Sequence, residues 1–190
     1  MKDFAALYAA LDATTRTGEK VAALAAYFRA APEADRLWTV ALFSGRRPKR
    51  VVAGPRLRDW AAEAAGLPPW LMEESHAAAG DLSETIALVL PPPSRAVDLP
   101  LSDWIARLQA IARLPDAEKR PAILDAWDRL PAQERFLLNK LLSGSFRVGI
   151  SQTLMTRALA QATGLAEQDV AHRLMGDWTP DGTSWDALLH

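Results

Sequence analysis

The sequence contains no cysteine among its 190 residues, which excludes disulfide bonds and thiolate metal ligands. No apolar run is long enough to span a bilayer, and the opening segment MKDFAALYAALD is amphipathic rather than typical of a signal peptide. Glycine-rich nucleotide-binding motifs and a nucleophile–base pair are also absent. His76 and His172 have no second ligand at metal spacing, so no metal site is predicted. These absences disfavour a free-standing enzyme and predict a soluble protein of a reducing compartment.

Strand-type alternation of Val, Ile and Thr is scarce, whereas segments rich in Ala and Leu recur at helical spacing between prolines and glycines. Asp81 is followed three residues later by Glu84, which predicts the capping box of a helix. The sequence therefore predicts an all-α domain of many helices. Tryptophans on the apolar faces of these helices are expected in the core: Trp38, Trp60, Trp104 and Trp127.

The net charge of −1 does not indicate a binding partner, but the charges are segregated along the chain. Residues 46–58 carry six cations and no anion, and residues 59–94 carry six anions and no cation. Segregation of this kind favours a local contact with a polyanion, although a basic loop is also often only solvated surface. We call residues 46–50 the basic loop; its cations are Arg46, Arg47, Lys49 and Arg50.

A second candidate site lies between Lys140 and Gly164. Ser143 and Gly144 are expected to end one helix, and Ser151 occupies the N-cap position of the next. The intervening loop carries Arg147 beside the unpaired N–H groups of a helix N-terminus, an arrangement that suits a phosphate. An ordinary corner between two helices remains the alternative for this stretch alone.

The two candidate loops occupy equivalent places in an internal repeat. A shift of 99 residues sets Ser44-Gly45 on Ser143-Gly144 without a gap, and with one residue removed the match continues to Gly66-Leu67 on Gly164-Leu165. This predicts two pseudo-symmetric helical halves, residues 1–90 and 101–178, joined by the proline-rich connection 91–100. Paired basic corners fit a duplex nucleic acid, whose two backbones are related by approximate two-fold symmetry.

Three segments carry a resemblance to a known family: LFSGRRPKR at 42–50, GDLSETIALVL at 80–90 and FLLNKLLSGSFRVGISQTLMTRAL at 136–159. The chain resembles the N-terminal DNA-binding domain of ATP-dependent DNA ligases, with the bacterial multi-domain enzymes most similar. The resemblance covers residues 1–178 and implies an all-helical domain with internal pseudo-symmetry. It further implies binding of nicked double-stranded DNA through the minor groove and phosphates, without sequence preference, during replication or repair.

The resemblance also implies individual site residues. Arg147, Gly149 and Ser151 match an R-x-G turn and the helix start after it, whose arginine and backbone amides meet DNA. The basic loop matches the corner of the other half, although this loop varies among ligases. The DNA-binding residues implied in full are Arg46, Arg47, Lys49, Arg50, Gly80, Asp81, Lys140, Ser145, Arg147, Gly149, Ser151 and Thr153.

The chain departs from the complete enzymes in one respect, because no lysine stands in the K-x-D-G pattern that takes AMP from ATP. The resemblance therefore implies that ATP, magnesium, the adenylation domain and the OB-fold belong to sequence beyond His190. Residues 179–190 are then expected to be a linker, and this segment alone is expected to be an inactive, monomeric domain of a cytoplasmic, nucleoid-associated bacterial enzyme. An all-helical protein–protein interaction module without catalytic activity remains the alternative.

Overall fold

A computed structural model describes all 190 residues, and it consists of helices and loops without a β-strand. The all-α prediction is therefore confirmed. None of the helices combines the length and the apolar character needed to cross a membrane. The twelve helices are α1 (Lys2–Asp12), α2 (Thr17–Ala30), α3 (Glu33–Phe43), α4 (Gly54–Ala65), α5 (Pro69–Ala79), α6 (Leu82–Val89), α7 (Leu101–Ala112), α8 (Asp116–Trp127), α9 (Ala132–Ser143), α10 (Gln152–Thr163), α11 (Glu167–Leu174) and α12 (Trp185–Leu189).

The predicted helix ends near the candidate loops are confirmed. The Asp81 carboxylate accepts a hydrogen bond from the Glu84 N–H at 3.0 Å, and the Ser151 hydroxyl accepts one from the Leu154 N–H at 3.1 Å. Each bond satisfies a helix N-terminal N–H that would otherwise lack a partner. Gly144 ends α9 with φ +71°, a conformation that a residue with a Cβ rarely adopts.

The chain folds into two compact units that do not follow its sequence halves. Unit 1 comprises residues 1–46, 100–102 and 147–190, and unit 2 comprises residues 47–99 and 103–146. Each unit therefore combines helices from both predicted halves: α1–α3 with α10–α12 in unit 1, and α4–α6 with α8, α9 and most of α7 in unit 2. The internal repeat itself remains a prediction.

The core of unit 1 forms where α2 packs against α10 and α1. Phe28 of α2 is 1% exposed, and its ring centroid lies 5.8 Å from that of Trp185. Trp185 belongs to the segment predicted as a linker, and its N–H donates to Glu33 Oε1 at 2.6 Å. Leu188 and Leu189 are buried as well. Residues 179–190 are thus packed into unit 1 through α12.

A buried carboxylate begins helix α7. Asp35 of α3 accepts hydrogen bonds from the N–H groups of Leu101 and Ser102, at 3.0 and 2.9 Å, and from the Ser102 hydroxyl at 2.7 Å. These donors belong to a helix N-terminus, where a negative charge is also favoured by the helix dipole. Asp35 therefore fixes the start of α7 in unit 1.

The core of unit 2 forms around α6 and α9, with α4 packed on α6. The predicted core tryptophans of this unit, Trp60, Trp104 and Trp127, are buried, as is Trp38 in unit 1. The Trp127 indole N–H donates to Asn139 Oδ1 at 2.7 Å, and the Asn139 amide donates to the Ser83 carbonyl at 3.2 Å. The core prediction for these tryptophans is confirmed.

Arg135 ties together the backbone at the ends of two helices in unit 2. Arg135 is only 2% exposed. Its guanidinium donates two hydrogen bonds to the Trp127 carbonyl and others to the carbonyls of Ala87, Leu90 and Pro91, at 2.8 to 3.5 Å. Burial lowers the pKa of Arg135, although the nearby Asp128 carboxylate opposes this shift. The first residue of the proline-rich connection is therefore held by a buried cation.

Candidate nucleic-acid interface

The part of the basic loop that belongs to unit 2, residues 47–50, lies against the turn at the end of α9. The N–H groups of Val51 and Val52 both donate to the Leu142 carbonyl, at 2.9 and 3.3 Å. The Arg47 guanidinium donates to the carbonyls of Gly144 and Phe146, at 3.3 and 3.1 Å. The residues that follow Arg46 and those that precede Arg147 are therefore brought together, which the sequence could suggest only through the repeat.

The cations of the basic loop divide into two kinds. Arg46, in unit 1, donates to the carbonyls of Trp178 and Gly176 at 2.5 and 3.1 Å, and Arg47 donates to carbonyls of unit 2. Both guanidinium groups therefore hold backbone in place. Lys49 and Arg50 are exposed, so their charges are presented to solvent.

The end of the basic sequence run is also engaged in contacts within unit 2. Arg56 donates to both carboxylate oxygens of Asp116 at 2.7 and 2.8 Å and lies over the Trp60 ring, 4.9 Å from its centroid. Arg58 pairs with Asp59 at 3.3 Å. These ion pairs partly neutralise the run, which concentrates its available positive charge in the basic loop.

The predicted helix start at Gly80 and Asp81 opens onto a pocket of about 350 Å³ in unit 2. The Asp81 carboxylate forms an ion pair with Lys140. Burial raises the pKa of Asp81, but hydrogen bonds from Lys140 and from the Glu84 N–H outweigh it and lower the pKa below the usual value. The pocket is lined by Gly54, Leu57, Gly80, Asp81, Leu82, Ser83, Ile86, Lys140, Ser143 and Ser145. Four of the predicted site residues therefore share one pocket.

The remaining predicted residues surround the start of α10 in unit 1. Arg147, Gly149, Ser151 and Thr153 are all exposed. No heavy atom lies within 4 Å of the position that a Cβ would occupy on Gly149. The opposite side of α10 is buried through Met155 and Leu159 and packs against α2. The N-terminal end of a firmly packed helix thus carries small polar residues and an arginine.

Sequence reasoning missed the internal roles of Arg46, Arg47 and Asp81. Arg46 contacts residues 130 and 132 positions later, and Lys140 lies 59 positions after Asp81. No local spacing rule links such positions, so their partners could not be found from the motif alone. The resemblance implies that Asp81 binds DNA, whereas its carboxylate binds the ammonium group of Lys140 in the same unit.

No group of three or more His, Cys, Asp or Glu side chains is arranged to hold a metal ion.

Comparison with known proteins identifies the family. A family model described as the DNA ligase N terminus matches residues 1–177, nearly the whole chain. No match was found among curated proteins. The match covers all of unit 2, unit 1 as far as residue 177, and all residues of the candidate interface. The chain therefore belongs to the family of N-terminal domains of ATP-dependent DNA ligases.

Proposed function

We propose that this chain binds nicked double-stranded DNA, without sequence preference, on behalf of an ATP-dependent ligase that seals nicks in replication or repair. The observation that carries the proposal is the packing of the basic loop against the turn 143–146. Arg47 fixes the loop to this turn, and the exposed Lys49 and Arg50 follow after Pro48. Two exposed cations on a braced loop can approach phosphates without first paying the full entropy of ordering the loop.

The start of α10 supplies a second kind of DNA contact. Arg147 provides a charge, and the open space around Gly149 lets a sugar–phosphate chain approach the backbone closely. Such contacts position the protein on the duplex but carry no base information, which agrees with binding of any sequence through the minor groove. Most of the affinity then comes from counterion release, so it falls steeply with salt.

Catalysis belongs to other parts of the full-length enzyme in this proposal. Adenylation and OB-fold domains would bind ATP and magnesium and carry the reactive lysine. This chain would raise the affinity of the enzyme for the nick as a monomeric, cytoplasmic, nucleoid-associated segment, and would not seal DNA by itself.

Fluorescence anisotropy with a nicked duplex of random sequence tests the proposal across a range of salt concentrations. Lys49→Ala, Arg50→Ala and Arg147→Ala are each expected to reduce the slope of log K against log salt by about 0.9. Arg113→Ala removes the same charge from an exposed position outside the predicted interface and serves as the matched control. Equal losses in the control and the three variants, or no binding at low salt, would contradict the proposal.

One observation favours the second candidate, a protein-interaction module. Trp70 of α5 is 60% exposed, and Glu73 and Glu74 beside it in sequence are exposed too. Large exposed aromatic side chains are typical of protein interfaces. Salt-sensitive binding to random duplex DNA, with a smaller salt slope in each of the three arginine and lysine variants, separates the ligase function from this alternative.

A further inference from the structure

Lys140 is the only cationic residue that lines the pocket at Gly80 and Asp81. Its ammonium group forms an ion pair with the Asp81 carboxylate. The Lys140 side chain is 17% exposed and the Asp81 side chain 31% exposed. The Lys140 ammonium also lies 5.3 Å from the centroid of the Phe136 ring. Lys140 is therefore satisfied inside the protein by a carboxylate and an aromatic face.

A neutral pair of this kind opposes the binding of a phosphate at the pocket. Any phosphate that approaches Lys140 also approaches the Asp81 carboxylate, and the two anions repel each other. A lysine that stays paired with a carboxylate neutralises no phosphate, so it releases no counterion from the DNA and adds little to the salt dependence of binding. The depressed pKa of Asp81 agrees with a carboxylate that stays ionised at neutral pH.

We infer that Asp81 limits the affinity of this domain for DNA by holding Lys140 in an internal ion pair. The inference rests on the proposed DNA-binding function and refines it: Asp81 is an attenuating residue, and Lys140 is a reserve phosphate contact. A ligase must dissociate from a nick once it is sealed. Because Asp81 keeps Lys140 from contacting a phosphate, the domain does not bind duplex DNA too tightly.

The attenuating charge can be removed without losing the helix cap. Asp81 also caps α6 through the Glu84 N–H, and Asn and Ser are equally good N-cap residues. Asp81→Asn and Asp81→Ser therefore preserve the cap while releasing Lys140. Glu84→Gln removes a nearby exposed carboxylate that holds no lysine, and it is the matched control.

The experiment measures binding of the chain to a nicked duplex at several salt concentrations. We expect Asp81→Asn and Asp81→Ser to bind several-fold more tightly at low salt, with a salt slope steeper by about 0.9, the contribution of one phosphate contact. Glu84→Gln should leave the slope unchanged. In a Lys140→Met background, the steeper slope caused by Asp81→Asn should disappear.

Three results would overturn the inference. They are an unchanged slope in both Asp81 variants, the same gain in Glu84→Gln, or a gain that persists in the Lys140→Met background. Binding by the original chain separates the two levels of the argument. If it fails to bind at low salt, the proposed function itself is wrong, whereas binding with an unchanged Asp81→Asn slope refutes only the role of Asp81.

Discussion

The guanidinium of Arg46 lies over the indole of Trp178, 4.6 Å from the ring centroid, and donates to the Trp178 carbonyl at 2.5 Å. Trp178 is itself buried, and its indole N–H donates to the Leu174 carbonyl at 3.3 Å. A cation expected at the DNA surface is thus used to hold the chain after α11 in unit 1. If Arg46 holds backbone in place, its loss should lower the stability of the protein, whereas the loss of an exposed charge should not.

Arg46→Ala is expected to lower the free energy of unfolding by about 1–3 kcal/mol, because it removes a cation–π contact and two hydrogen bonds to carbonyls. Urea denaturation measures this change. Lys49→Ala, which removes an exposed charge from the same loop, should stay within about 0.5 kcal/mol of the original chain. Equal stability of the Arg46 and Lys49 variants would count against the bracing role.

Gly149→Val is expected to fold normally and to weaken binding to nicked DNA by about tenfold, or about 1.4 kcal/mol. The space around Gly149 is open in the protein, so only an approaching DNA backbone would meet the new side chain. Thermal melting and anisotropy together separate the two effects. Undiminished affinity would exclude a close backbone approach at this turn.

Gly144→Val provides a contrast to the change at Gly149. The Cβ would stand 3.3 Å from Arg50 Cβ, on a residue that needs φ +71°. We expect a loss of about 1–3 kcal/mol of stability from backbone strain alone. Unfolding by urea checks this, and a melting curve like that of the original chain would contradict the strain argument.

Arg135→Ala is expected to destabilise the protein by about 3–5 kcal/mol, because it leaves buried carbonyl groups at the ends of α6 and α8 without a hydrogen-bond donor. Arg129→Ala removes another arginine of unit 2, which pairs with Asp125 one helical turn away, and is the control. Its expected cost is below about 1 kcal/mol. If urea denaturation gave the two variants the same free energy of unfolding, Arg135 would not be needed to hold the ends of α6 and α8.

The stability of the protein should depend on Asp128 at low pH. Hydrogen bonds from the Ser94 hydroxyl and N–H, with a further one from Arg95, lower the pKa of Asp128 from 3.8 to about 2. Because the folded state holds the proton less tightly, this stabilisation is present above pH 3.8 and is lost as pH falls through about 2.

Melting temperatures of the original chain and Asp128→Asn, measured between pH 5 and 2, test this dependence. The variant should melt at a lower temperature at pH 5, and its difference from the original chain should shrink as pH falls. A difference that stays constant with pH would mean that the Asp128 charge does not stabilise the contact with Ser94 and Arg95 of the proline-rich connection.

The sequence predicted the features of the interface that depend on neighbouring residues. Asp81 and Ser151 cap helices as predicted, because the side chain of an N-cap residue can reach the backbone N–H three residues later at the start of a helix. The placement of Trp127 in the core follows equally from helical spacing. The family could be predicted from short segments, and the match over residues 1–177 agrees.

The sequence by itself determined the helices, their caps and the clustering of cations, since each follows from spacing within one or two turns. Only the tertiary structure decided which cations are used internally: Arg46 by Trp178, 132 residues away, and Lys140 by Asp81, 59 residues away. It also decided that each compact unit combines both halves of the chain. The physical reason is that ion pairing and burial depend on distance in space, and local sequence constrains that distance only within an element.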